Sequence, residues 1–211
     1  MKRGLVRLGL ALLLGVLAGP VAAQHRPGGH GATTGEALPV GETRTLKPGM
    51  AAPGFALVDH DGIVRRLADY QGRQHVLLVF YMGEWCMGCM SQLTELAHAN
   101  HDFIAGGVQI LAVSVDARER ALVAANRLRP GEKSPFPLLA DPDRKAVEAY
   151  GVLQRHFVYR DGSTHENIAF HTELLIDRTG TIRSIKTGWV MPVDFPKVPE
   201  LLAEFASFPG S

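Results

Sequence analysis

The chain has 211 residues, with 22 Lys and Arg against 21 Asp and Glu and a formal net charge of +1. That balance gives no electrostatic ground for nucleic acid or an anionic membrane as a partner. The 2 cysteines lie within five residues of each other, which excludes a disulfide-stapled scaffold with several spread pairs.

Lys2, Arg3 and Arg7 precede an apolar run over residues 8–17, and Gly19 and Pro20 end it. Val21, Ala22 and Ala23 then supply the small residues of a secretory signal peptide cleaved after Ala23. The run is short for a membrane span, which needs roughly 20 apolar residues. No cysteine follows the cleavage position, which argues against a lipid anchor. The expected location is therefore exported, periplasmic or extracytoplasmic, with no membrane contact after cleavage. Without the three signal-peptide cations the net charge turns slightly negative.

Residues 24–45 are rich in Gly, His, Thr and Pro without apolar period and read as a flexible leader, in which His25 and His30 are solvated. One domain is expected over residues 46–208. Residues 55–58 and 63–67 read as two strands joined by the hairpin residues Asp59, His60, Asp61 and Gly62. Residues 75–81 read as a strand whose apolar run over residues 76–81 is the signature of a central strand buried on both faces.

Next comes the segment Trp85-Cys86-Met87-Gly88-Cys89, which holds both cysteines. A helix follows, with Leu93, Leu96, Ala97, Phe103 and Ile104 on one stripe and Gly106-Gly107 as its stop. The pair thus falls between a buried strand and a helix start. N–H groups at a helix start favour negative charge, and the thiolate is the nucleophilic form of cysteine. In this arrangement Cys86 attacks and Cys89, one turn on, closes a disulfide that releases whatever Cys86 captured.

Residues 108–115 are a second apolar strand. Asp116 with Glu119 reads as a capping pair opening a helix that reaches residue 129. Residues 136–140 are a short strand, and Asp141-Pro142 opens another helix closed by Gly151. Residues 152–167 read as irregular and polar. Residues 173–177 and 181–189 form an antiparallel pair about Arg178-Thr179-Gly180, and a last helix lies around residues 200–205. Alternating helices and strands imply parallel pairing, and the terminal hairpin adds antiparallel strands. Strand ends of such sheets are where ligand sites collect.

With these landmarks the chain resembles the thioredoxin-fold redoxins. It is most similar to the branch that groups alkyl hydroperoxide reductase/thiol-specific antioxidant proteins with periplasmic thiol–disulfide oxidoreductases. The matching segments are residues 49–57, 67–72, 79–81 before the C-x-x-C, 138–142, 149–152 and 175–180. The resemblance implies an α/β thioredoxin-like fold: a mixed central sheet flanked by helices, with an N-terminal β-hairpin extension. It also implies redox chemistry at Cys86 and Cys89.

Three departures from the family pattern stand out. Peroxiredoxins carry Pro-x-x-x-Thr-x-x-Cys at the peroxidatic cysteine, but here Val79 and Gly83 occupy the proline and threonine positions. The dipeptide between the cysteines is Met87-Gly88, where thioredoxin-like reductases commonly have proline, which leaves the direction of electron flow open. His171 stands where thioredoxins have a cis-proline and where peroxiredoxins commonly have Arg.

Supporting residues follow from these placements. Trp85 covers the site, or simply packs. Glu84 beside the pair opposes thiolate formation or exchanges a proton, or is a solvated loop acid. His171 faces the sulfurs as cation or base, or is an ordinary strand-end histidine. Met82, Met87 and Met90, with Cys86, Cys89 and His171, make a soft set suited to Cu(I), similar to Sco-type copper proteins. The methionines also serve as adaptable packing.

The first functional expectation is an exported thiol–disulfide oxidoreductase, with protein thiol or disulfide partners and an upstream thiol donor. The alternatives are a peroxiredoxin-like antioxidant enzyme reducing hydroperoxides and a Sco-type copper carrier. No organic cofactor is expected, and no phosphate-cradling glycine loop is visible.

Overall fold

The computed structural model describes residues 46–158, 162–187 and 195–208. The expected signal peptide and leader lie outside the described residues. Among the described residues, nine strands and five α-helices follow in the order β1 (Ala56–Asp59), β2 (Val64–Arg66), β3 (His75–Phe80), α1 (Met87–His98), α2 (Asn100–Ala105), β4 (Val108–Ser114), α3 (Arg118–Leu128), β5 (Leu138–Ala140), α4 (Lys145–Ala149), β6 (Leu153–Val158), β7 (Thr164–Ala169), β8 (Thr172–Ile176), β9 (Ile182–Thr187) and α5 (Val198–Ala206), with a 3-10 turn at Leu67–Tyr70.

Seven strands form one mixed sheet in the order β2-β1-β5-β4-β3-β8-β9. β3 pairs with β4 in parallel and with β8 antiparallel, so it is an interior strand beside the middle one, β4, and all six of its residues are buried. Period-two alternation divides its side chains between two cores. Leu77, Val79 and Tyr81 pack with α1, α3 and α5, while Val76, Leu78 and Phe80 face Val147, Tyr150 and Leu67. The thioredoxin-like class and the N-terminal hairpin stand as expected from the sequence, the hairpin being the sheet's β1–β2 end.

Several local expectations are corrected. The stretch expected to be irregular contains β6 and β7, which form an antiparallel pair that is a separate two-stranded sheet. Its exposed positions are polar except Val158, and its buried residues Leu153, Gln154, Ile168 and Ala169 gather at one end, so no period-two pattern marks it. The helix after the cysteines breaks at Ala99 into α1 and α2, and the break turns Ile104 out to solvent while Phe103 stays buried.

The cap of α3 is Ala117 rather than Asp116. The Asp116 carboxylate instead accepts from the Glu84 N–H at 3.3 Å and the Ser114 hydroxyl at 3.2 Å. Likewise α4 begins only at Lys145, after Arg144 in the left-handed region at φ 60°. Asp141 caps it from a distance, its Oδ2 accepting the Val147 N–H at 2.9 Å.

Candidate active site

Cys86 is the residue before the first turn of α1, and its backbone is extended. Its Sγ accepts the Cys89 N–H at 3.2 Å, so the sulfur itself caps the helix. An open N–H is thus satisfied by the atom that carries the charge when Cys86 ionises. Cys86 and Cys89 are joined by a disulfide with Cα atoms 5.3 Å apart. Both are buried, whereas Met87 between them is 80% exposed. The reactive pair therefore lies under a rim whose most prominent side chain is apolar and flexible.

The loop from β3 to Cys86 is fixed at Glu84. Glu84 is not a solvated acid: Arg120 Nη1 lies 2.6 Å from Oε1 and Arg127 Nη1 lies 3.0 Å from Oε2. Arg127 Nη1 also donates to the Glu84 carbonyl at 2.7 Å. Both arginines come from α3. The two guanidinium groups compensate the carboxylate, so it opposes a nearby thiolate less than a lone acid would. Burial pushes the Asp116 carboxyl above the usual range, partly offset by the Ser114 hydroxyl and the Glu84 N–H.

Gly83 adopts φ 140°, a region that favours glycine. A Cβ there would sit 2.6 Å from Trp85 Nε1 and 3.1 Å from Asp116 Oδ2. The position that carries threonine in the peroxiredoxin pattern is therefore closed to a side chain by Trp85. Trp85, half-buried, stacks on His165 of β7 with centroids 3.7 Å apart and planes 3° from parallel. The separate hairpin is thus held against the residue preceding Cys86.

His171 is fully buried at the start of β8, just past the pairing of Thr172 with Phe80. That register puts it at the sheet end from which the cysteine loop departs. Its Nε2 lies 3.9 Å from Glu173 Oε1, and its ring packs on Phe195 at 4.5 Å. Glu173, also fully buried, accepts a hydrogen bond from the Gln92 amide of α1. Among the described residues, no three His, Cys, Asp or Glu side chains converge as a metal-ligand set.

Sequence reasoning missed Arg120, Arg127, His165, Gln92 and Glu173. Glu173 carried a signal: a lone acid adjoining the apolar run of residues 174–176 in a strand expected to be central. The arginine pair carried none, because cations on an amphipathic helix resemble any solvated face.

A dithiol at the junction of a central strand and a helix, under a thioredoxin-like sheet, defines a thiol-based oxidoreductase. The chain belongs to the AhpC/TSA family, whose model matches residues 48–185. A putative peroxiredoxin of Mycobacterium tuberculosis is 33% identical over 141 residues, covering 67% of this chain and 85% of the relative. Peroxiredoxin Bcp of Escherichia coli is 34% identical over 141 residues, covering 66% and 85%. Among solved structures, peroxidoxin BcpB of Mycobacterium tuberculosis shares the fold with a TM-score of 0.63 at 20% identity, covering 78% of this chain and 99% of that one. The protein is accordingly a peroxiredoxin-like oxidoreductase.

Proposed function

We propose that the chain is a two-cysteine thiol peroxidase that reduces hydroperoxides. The observation that carries this reading is the Cys86–Cys89 bond at the head of α1 in a member of the AhpC/TSA family. The Cys86 thiolate attacks the distal peroxide oxygen, the O–O bond breaks, and the alcohol or water leaves as Cys86 becomes a sulfenic acid. Cys89 condenses with it, water departs, and the disulfide results. An upstream thiol donor restores both thiols. His171, at the sheet end beside the loop, favours the Cys86 thiolate when cationic.

Stopped-flow oxidation by hydrogen peroxide tests the reading. Wild type reacts far faster than free cysteine, Cys86→Ser does not react, and Cys89→Ser accumulates a sulfenic acid that dimedone captures. A wild-type rate equal to that of free thiol overturns it. His171→Ala raises the pH at which Cys86 thiolate absorbance appears, and an unchanged titration removes His171 from the mechanism.

A second reading, exchange with a protein disulfide, is favoured by the closed Gly83 position and the exposed Met87. Under it, Cys89→Ser traps a mixed disulfide with an oxidised protein partner, and hydrogen peroxide is a poor oxidant. Export completes the proposal. Its support is the charged, apolar and small-residue order of residues 2–23. An intact mass of secreted protein beginning at Gln24 is the expected result.

A further inference from the structure

Resolving the disulfide has a proton problem. Cys89 is fully buried, and its thiol proton must go somewhere before its sulfur can attack Cys86. α1 brings Gln92 onto the same helical face as Cys89, three residues on. Gln92 is buried as well, and its Nε2 donates to Glu173 Oε1. Two oxygens of this pair, Gln92 Oε1 and Glu173 Oε2, are buried without a hydrogen-bond partner among the described residues. Open acceptors in a core are destabilising, and reduction of the disulfide creates one new buried donor, the Cys89 S–H.

We propose that Glu173 is the buried proton acceptor for Cys89, with Gln92 as the residue that positions its carboxylate. This rests on Cys89 being the resolving thiol, and it holds for either oxidant. Cys89 S–H gives its proton to Glu173. The Cys89 sulfur then attacks Cys86 Sγ and the Cys86 S–O bond breaks. The departing hydroxide takes a proton from solvent and leaves as water, and Glu173 later returns its own proton to solvent. The Cys89 sulfur is oxidised and the sulfenic sulfur reduced, both to the disulfide level. On reduction the order reverses: a donor thiolate attacks Cys86, and Cys89 leaves with a proton from Glu173.

The groups around Glu173 suit it to this task. On β3 its cross-strand neighbour is the apolar Val79. On β9 its neighbour is Lys186, whose Nζ is engaged by Glu204 of α5 at 2.7 Å. On its own strand His171 lies 3.9 Å away, and on α1 the facing group is the neutral Gln92 amide. Among these neighbours only His171, at 3.9 Å, pairs with the Glu173 carboxylate when protonated.

The test separates two steps by stopped-flow in the full-length protein. Hydrogen peroxide oxidises Cys86 first, and condensation with Cys89 follows as a second fluorescence phase. Glu173→Gln slows the second phase roughly 100-fold near neutral pH and flattens its pH dependence, while the first phase still runs to completion. Glu173→Asp recovers part of that loss. A second phase with wild-type rate and pH profile in Glu173→Gln overturns the inference. Loss of the first phase in wild type would instead overturn the peroxidase reading. The step is then followed by attack of Cys89 on a mixed disulfide formed on Cys86, which breaks that bond and releases the partner thiol, and the same comparison applies. If Glu173→Gln does not fold, Gln92→Leu takes its place. Removing the amide from Oε1 moves the condensation profile to higher pH, and an unmoved profile overturns the inference.

Discussion

Arg127 Nη1 holds Glu84 twice, by the backbone carbonyl at 2.7 Å and by the carboxylate at 3.0 Å. A side chain of α3 thereby ties down the loop that delivers Cys86. Arg120 adds a single carboxylate contact at 2.6 Å. Arg127→Ala should lower stability by about 1–2 kcal/mol, because a carbonyl contact is lost with the ion pair. Arg120→Ala should lower it by less than about 1 kcal/mol. Urea midpoints at constant slope measure both, and equal losses would show that the carbonyl contact contributes nothing.

The stack of Trp85 on His165 makes the β6–β7 hairpin a cover beside Cys86. His165→Ala should open that side. Acrylamide quenching of the Trp85 emission should rise, and the rate with a bulky organic hydroperoxide should rise severalfold relative to hydrogen peroxide. A constant ratio between the two oxidants would mean that the hairpin does not screen the site.

His75 gives the fold a pH dependence. Its ring is buried against Phe205 and Phe208, with centroids 5.9 and 5.7 Å away, and neither nitrogen has a hydrogen-bond partner among the described residues. Burial first, then the charge of Arg178, holds its pKa below the ordinary value, while Asp177 works the other way. Above about pH 6.5 both folded and unfolded chains carry a neutral ring and His75 adds no slope. Below it the unfolded chain binds the proton first, so stability falls with pH until the folded value is reached. The slope is at most about 1.4 kcal/mol per pH unit. His75→Leu should remove this component from stability measured between pH 7 and pH 5, and an unaltered slope would dismiss it.

Asp177 acts in the opposite range. Burial raises its pKa, but the Thr179 hydroxyl, the Thr181 and Thr179 N–H groups and Arg183 outweigh that and hold it below the usual value. Oδ1 accepts the Thr179 and Thr181 N–H groups at 2.9 and 3.0 Å, and Oδ2 accepts from Arg183 at 2.6 Å. Its contribution is present above about pH 4 and lost as pH falls through the folded value. Asp177→Asn should cost about 1–3 kcal/mol at neutral pH and little in strong acid. Equal losses at both pH values would contradict the sign.

The central strand, the helix start and the placement of both cysteines were legible because each rests on local pattern. Residues 75–81 have no polar alternation after His75, and glycines punctuate the turns around them. The hairpin β6–β7 was not legible, since it is buried at one end and exposed at the other and so lacks the alternation that marks a half-buried strand. The caps at Asp116 and Asp141 misled because an acid before a helix is equally able to bind a distant N–H. The Glu84 clamp spans 36 and 43 residues of sequence, a separation at which no local signal exists.

Gly83 constrains how this site can change over time. A Gly83→Thr change meets the indole of Trp85 before its hydroxyl reaches any oxidant. That indole is itself held in place by His165. Substitutions toward the threonine-bearing arrangement must therefore come in sequence, with the tryptophan or its stacking partner replaced first. A library that randomises position 83 alone should return glycine, whereas one that also frees positions 85 and 165 should admit side chains.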